Sequence, residues 1–268
     1  MQSPEMQNPD IQYIDFEQAQ QQPGLRMIVV KGLPSPWGEA AKGIFQFKQL
    51  EFFATYHDPA SREMSAWSGS RSAPVAIYNN EAPLSGWLDI LLLAERLAPA
   101  PALLPKDSKE REAALALCND ICGEMGLGWS RRLDSVHKGL NGKSLAEGGY
   151  PQPIAGYLAK KYGYEEDQGP HYKQHTIDLL NLLSNILKKQ KEAGSQYYFG
   201  NTISAVDIYS ATFMACFKPL PEEQCAMHQP IRSIFEALDE ETKVALDPIL
   251  IEHRDFIYSQ HLTLPLSL

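Results

Sequence analysis

The side chains of this sequence that could do chemistry are few, and most have a plainer reading. Its four cysteines, Cys118, Cys122, Cys216 and Cys225, all lie beyond residue 117 and form no C-x-x-C pair. Cys118 and Cys122 are four apart and share one face of a helix. That spacing suits a redox or metal pair, or two small apolar residues of a helix core, which is how buried free cysteine usually packs. His171 and His175 are also four apart, but with no H-E-x-x-H pattern they read as a solvated helix face, and no metal site is expected. Gly123 to Gly128 spells Gly-x-x-Gly-x-Gly, yet it follows no strand and falls inside a helical pattern, so it is not a phosphate loop. Ser35 stands between Pro34 and Pro36, where a polar turn residue is common. Ser204 and Asp207 have the spacing at which a serine caps a helix and the acid three on reaches back to its backbone N–H.

The elements that must position these residues come in two kinds. Residues 1–24 are polar and Gln-rich and read as a loose arm. Met27-Ile28-Val29-Val30 is a continuous apolar run, the mark of a strand buried on both faces. A two-proline turn follows, then a helix over 39–49, a strand over 51–56, a short helix over 59–67 and a strand over 75–78. Asn79-Asn80 turns the chain into a very short fourth strand. Leu88, Ile90, Leu91, Leu92 and Leu93 make an apolar helix that ends before Pro99, and the run 98–105 is a linker. Beyond it the pattern is helical over 108–138, 153–162, 170–192, 204–217, 230–246 and 248–260, with a Gly-rich loop at 140–151.

Composition narrows the function classes. The chain has 268 residues, and 24 Lys and Arg against 33 Asp and Glu leave a net charge of -9. A surface that acidic repels phosphate backbones and anionic lipid, so neither nucleic-acid nor membrane binding is expected. Apolar runs reach about six residues, far short of the ~18 that a spanning helix needs. No leader pattern opens the chain, and the expectation is a soluble, cytoplasmic protein.

A small α/β half followed by an all-α half resembles the glutathione transferase superfamily. The resemblance covers residues 25–262 in element order and rests on three motifs: Pro34-Ser35-Pro36-Trp37, Ser72-Ala73-Pro74-Val75, and Phe199-Gly200-Asn201-Thr202-Ile203-Ser204-Ala205-Val206-Asp207. It implies an α+β protein with a thioredoxin-like domain at 25–99 and an all-helical domain at 107–268. Ser35 would be the sulfur-activating residue. A hydroxyl donating to the thiol near a helix N-terminus favours the thiolate, whereas a free thiol titrates near ~8.5. No Cys precedes residue 118 and no Tyr lies between Tyr13 and Tyr56, which disfavours the cysteine and tyrosine types of the superfamily.

Further roles follow from the same resemblance. Pro74 would follow a cis peptide bond, and the Ala73 main chain would bind the cysteinyl part of glutathione. Ser85 would hold the γ-glutamyl carboxylate at a helix N-terminus. Leu84 stands where the superfamily has an acid, and Arg71 is a second candidate for that carboxylate. Trp37, Trp129 and Arg132 would line the second-substrate pocket, and Ser204 and Asp207 would be the structural capping box. Glutathione would be the co-substrate, a small hydrophobic electrophile its partner, and the chain a homodimer. Two alternatives share this fold: an inactive binding or interaction protein, and a glutathione-dependent lyase or peroxidase.

Overall fold

The computed structural model describes residues 8–268. Four strands, β1 (Gln12–Tyr13), β2 (Leu25–Val29), β3 (Phe53–Tyr56) and β4 (Val75–Tyr78), form one sheet in the order β1-β3-β2-β4. β2 runs parallel to β3 and antiparallel to β4. All five residues of β2 are buried, because helices cover both faces of the sheet. Met27, Val29 and Ala54 face α2 (Pro36–Phe47) and α4 (Trp87–Leu97) through Ile44, Phe45, Ile90 and Leu91. Ile28, Val75 and Ile77 face the other way, onto Met64 and Trp67 of α3 (Arg62–Ser68) and Phe16 of α1 (Phe16–Gln21). A period of two thus sends alternate residues of each strand into two separate cores.

Residues 12–21, expected in a loose arm, are part of this fold. β1 adds to the free edge of β3 through Gln12↔Phe53 and Tyr13↔Ala54. Asp15 caps α1 by accepting from the Gln18 N–H at 2.7 Å. Ile11, Tyr13 and Phe16 pack on the two cores, and three spaced apolar residues in a polar run are enough to anchor it. The start of the expected arm, residues 1–7, lies outside the described residues. The short fourth strand survives as one antiparallel bridge between Ala76 and Leu84.

The rest is helical: α5 (Ser108–Cys122), α6 (Leu127–Leu140), α7 (Gln152–Tyr162), α8 (Gly169–Glu192), α9 (Ala205–Phe213), α10 (Gln229–Glu236), α11 (Glu240–Ala245) and α12 (Pro248–His261). The single helix expected over 108–138 is two helices. Gly123 and Gly126 form the break rather than the interior, with Met125 at φ +58°. A Cβ on Gly126 would lie 2.8 Å from the carbonyl oxygens of Asn119 and Asp120, so only glycine lets the chain fold back on the last turn of α5. The stretch 230–246 divides likewise, because Asp239 accepts from the Thr242 N–H and starts α11 afresh.

Every residue of α9 is buried, and the helix packs on α2, α5 and α12. It is the pillar that joins the sheet unit to the bundle. Asp207 anchors it, its carboxylate accepting from the Ser204 N–H (2.7 Å), the Ser204 hydroxyl (2.6 Å) and the Tyr198 N–H (3.0 Å). After α12 an extended strap crosses α2 and packs Leu262, Leu264, Leu266 and Leu268 onto the core. The fold is therefore α+β, a thioredoxin-like unit followed by a helical bundle.

Candidate functional site

Parallel strands carry their C-terminal ends to one edge of a sheet, and an antiparallel neighbour begins there. Val29 pairs with Tyr56 and Ile28 with Val75, so the segments holding Ser35, His57 and Ala73-Pro74 leave the sheet together. Such an edge is where α/β sheets collect their ligands.

Ser35 is the residue at which α2 begins. Its backbone is extended (φ -63°, ψ 114°), Pro36 occupies the first helical position, and its carbonyl accepts from the Glu39 N–H at 2.8 Å. Its hydroxyl makes no hydrogen bond among the described residues and is not used to cap the helix. Proline at that position pre-sets the first turn, and the hydroxyl stands uncommitted at the positive end of the dipole. The Ala73–Pro74 bond is cis, and Pro74 is buried.

The two remaining expected glutathione ligands sit differently. α4 starts at Trp87 with Gly86 as its N-cap, so Ser85 lies one residue before the cap and is exposed. Leu84 is engaged through its backbone with Ala76, the N–H of each donating to the carbonyl of the other at 2.8–2.9 Å. Arg71 is exposed and forms no ion pair among the described residues.

Trp37, Trp129 and Arg132 do come together. The Trp37 indole N–H donates to the Cys122 carbonyl at 2.7 Å, and its ring meets Phe213 edge-on at 4.8 Å. The Arg132 guanidinium lies 4.9 Å from the ring centroid of Trp37 on one side and 4.9 Å from that of Tyr162 on the other. It also donates to the Tyr162 hydroxyl. Trp129 packs edge-on against Tyr162 at 4.7 Å and donates to its carbonyl at 3.1 Å, pinning the end of α7 to α6. Close approach depends on Gly128, where a Cβ would lie 2.4 Å from the Phe213 ring.

Three neighbours were not visible from spacing. Lys161, at the end of α7, has its ammonium 5.7 Å from the centroid of the Tyr162 ring. Burial and the Arg132 charge both lower its pKa. His57 follows β3, and burial, with Lys161 nearby, lowers its pKa against the opposing pull of Asp58. Tyr150 lies beside Arg132. The signal that could have found His57 is topological, a residue just past the C-terminal end of a parallel strand.

The cysteines are packing residues. Cys118 and Cys122 are buried on one face of α5, and burial pushes both thiols well above their ordinary range. His171 and His175 are exposed on α8, where they line an open cavity of about 570 Å³. A separate cavity of about 320 Å³ lies under the strap and is lined by the Glu39–Lys42 ion pair (2.7 Å).

No protein-family model matches the chain, and no curated protein matches it. Solved structures do. A glutathione S-transferase from Methylobacterium radiotolerans in complex with glutathione sulfonate is 17% identical, with 88% of this chain and 91% of that one covered and a TM-score of 0.57. A glutathione transferase family member from Pseudomonas fluorescens with two glutathione bound is 15% identical, with 88% of each chain covered and a TM-score of 0.57. A glutathione S-transferase from Methylobacillus flagellatus with glutathione bound is 12% identical, covers 82% of this chain and 98% of its own, and has a TM-score of 0.54. At these identities the likeness is one of fold, and the chain has the glutathione-transferase fold.

Proposed function

We propose that this protein is a glutathione-dependent transferase in which Ser35 stabilises the glutathione thiolate. One observation carries the reading: the buried Ser35 hydroxyl has no partner among the described residues, stands at the N-terminus of α2, and leaves the sheet at the same edge as the cis Ala73–Pro74 bond. The three solved relatives of this fold were each crystallised with glutathione or its sulfonate, which supports the choice of co-substrate. On this reading the Ala73 main chain binds the cysteinyl part, while Ser85 or Arg71 meets the γ-glutamyl carboxylate. Trp37, Trp129 and Arg132 wall the pocket for a small electrophile. The thiol loses its proton to solvent, the sulfur forms a bond to the electrophilic carbon, and the leaving group departs with the bonding electron pair. Catalysis then rests on positioning and on stabilising the thiolate, with no covalent enzyme intermediate. The reading places the enzyme in the cytoplasm as a homodimer. Leu88 and Leu92, exposed one turn apart on α4, are an apolar stripe such an interface would cover.

A second reading, a binding protein on this fold without turnover, is favoured by Ser85 standing outside the helix and by Leu84 in the place of an acid. One titration separates the two. Glutathione is added to the protein while the 240 nm absorbance of the bound thiolate is followed against pH, for the native chain and for Ser35→Ala. A hydroxyl donating to a charged acceptor contributes about 1.5–3 kcal/mol, so the bound thiol should titrate about one to two units higher in the variant. Binding with an ordinary thiol pKa in both proteins would favour the binding protein. Absence of binding at millimolar glutathione would remove the transferase reading and leave a binding protein for a different ligand or partner.

A further inference from the structure

Arg131 and Arg132 are neighbours in sequence with opposite surroundings. Arg131 is buried beside a carboxylate, Asp134 at 3.1 Å, which it shares with Lys138 at 2.7 Å. Arg132 is flanked by two aromatic rings and phenol hydroxyls, and it forms no ion pair among the described residues. Lys161 shares the Tyr162 ring with Arg132 and forms no ion pair among the described residues either. Two cations held against one ring repel each other; Lys161 stands at the exposed rim, whereas Arg132 is half-buried, and withdrawing its charge from water without a counter-ion is costly unless something supplies one. A lysine in the last turn of α7 is explained in part by the helix dipole, but Lys160 already serves that end. The dipole does not explain why the ammonium of Lys161 is set beside a guanidinium. His57, just past the end of β3, adds a third basic side chain close enough to Lys161 for the two charges to interact. Tyr157, exposed one turn before Lys161, extends the aromatic surface outward.

We propose that this wall is an anion site and that the second substrate carries a carboxylate, or a group of like charge, on an aromatic or apolar body. The charge docks at Lys161 and His57 with Arg132 behind them, and the body lies along Tyr157, Tyr162 and Trp37 toward Ser35. This rests on the transferase reading for its name as a substrate site, but the anion site itself does not depend on turnover. It narrows the electrophile from merely hydrophobic to amphipathic and acidic.

The test uses 4-chloro-3-nitrobenzoate and its methyl ester, which share the ring and its substituents and differ by the negative charge and one methyl group. Each is titrated against the full chain by quenching of tryptophan fluorescence, because Trp37 packs on Arg132 and Trp129 on Tyr162. The acid should bind about five-fold more tightly than the ester, the scale of a partly exposed charge pair. Lys161→Gln should abolish that difference and Lys161→Arg should keep it, with glutathione affinity equal in all three proteins. Equal binding of acid and ester to the native chain would overturn the proposal, and so would failure of the acid to bind at millimolar concentration. A Lys161→Gln protein that keeps its preference for the acid but loses glutathione affinity would also overturn it, by giving these cations to glutathione's own carboxylate. Acid preference in a protein that binds no glutathione would keep the anion site and refute the transferase reading instead.

Discussion

Replacing Asp207 with alanine should cost this protein about 4 kcal/mol, more than any exposed substitution could. The carboxylate is fully buried and accepts from four donors: the Ser204 N–H and hydroxyl, the Tyr198 N–H, and His253 Nε2 at 2.9 Å. In Asp207→Ala the Ser204 hydroxyl can turn away, but two backbone N–H groups and the imidazole N–H cannot. Each buried donor left alone costs about 1–3 kcal/mol, while the protein recovers the cost of desolvating the carboxylate. Removing one side of a buried charged network has a net cost of about 3–5 kcal/mol. For a chain of this size that is about 10 °C in melting temperature. Asp207→Asn keeps an acceptor on one side and turns an NH2 toward donors on the other, so about half the loss is expected. The assay is urea unfolding followed by circular dichroism, with Ser204→Ala measured in the same series. The urea dependence should stay constant while the midpoint falls, and the two sites should show coupling of about 1 kcal/mol in a double-mutant cycle. An alanine variant within about 1 kcal/mol of the native chain would refute the claim that this carboxylate holds α9 in place.

Two further outcomes follow from the same geometry. Gly128→Ala places a methyl 2.4 Å from the Phe213 ring and 3.1 Å from the Trp37 ring, and both are rigid. Overpacking of this kind costs about 2 kcal/mol and should shift the Trp37 emission; an unchanged spectrum and urea midpoint would count against the tight seat assigned to Trp37. Asp239 gives an acid-side dependence. Burial works against its carboxylate, but hydrogen bonds from Thr242 and the Lys138 and Lys173 ammonium groups outweigh this and push its pKa down to about 2. Because the folded value lies below the unfolded ~3.9, its contribution is complete above about pH 4 and is lost as pH falls toward 2. The unfolding midpoint of Asp239→Asn should therefore fall less over that range than that of the native chain, and parallel curves would refute the assignment.

How much of this could be read beforehand depended on range. The strand at 75–78 behind Pro74 and the Ser204–Asp207 box each depend on residues within a few positions of one another, and both stand where the spacing put them; Ser35 lies in the expected turn, but α2 starts at Pro36 rather than at 39. The helix over 108–138 was misread because apolar periodicity continues through Gly123–Gly126 and hides a break that depends on carbonyls one turn back. β1 was missed because two residues make no pattern until β3 offers them an edge. The strap was missed for the same reason, since Leu262, Leu264, Leu266 and Leu268 alternate but have no meaning without α2 beneath them.

By itself the sequence determined the order of elements, the change from α/β to all-helical near residue 100, the capping of α9 and the absence of a reactive cysteine from the first 117 residues. Those follow from propensity, periodicity and residue type, which act over one or two turns. The tertiary structure decided which side chains meet. Arg132, Trp37 and Tyr162 are separated by 30 residues or more, and Lys161 and His57 by about a hundred. No local rule relates them. They are neighbours because α9 draws the sheet unit onto the bundle and burial, which has no direction, leaves the geometry to the packing.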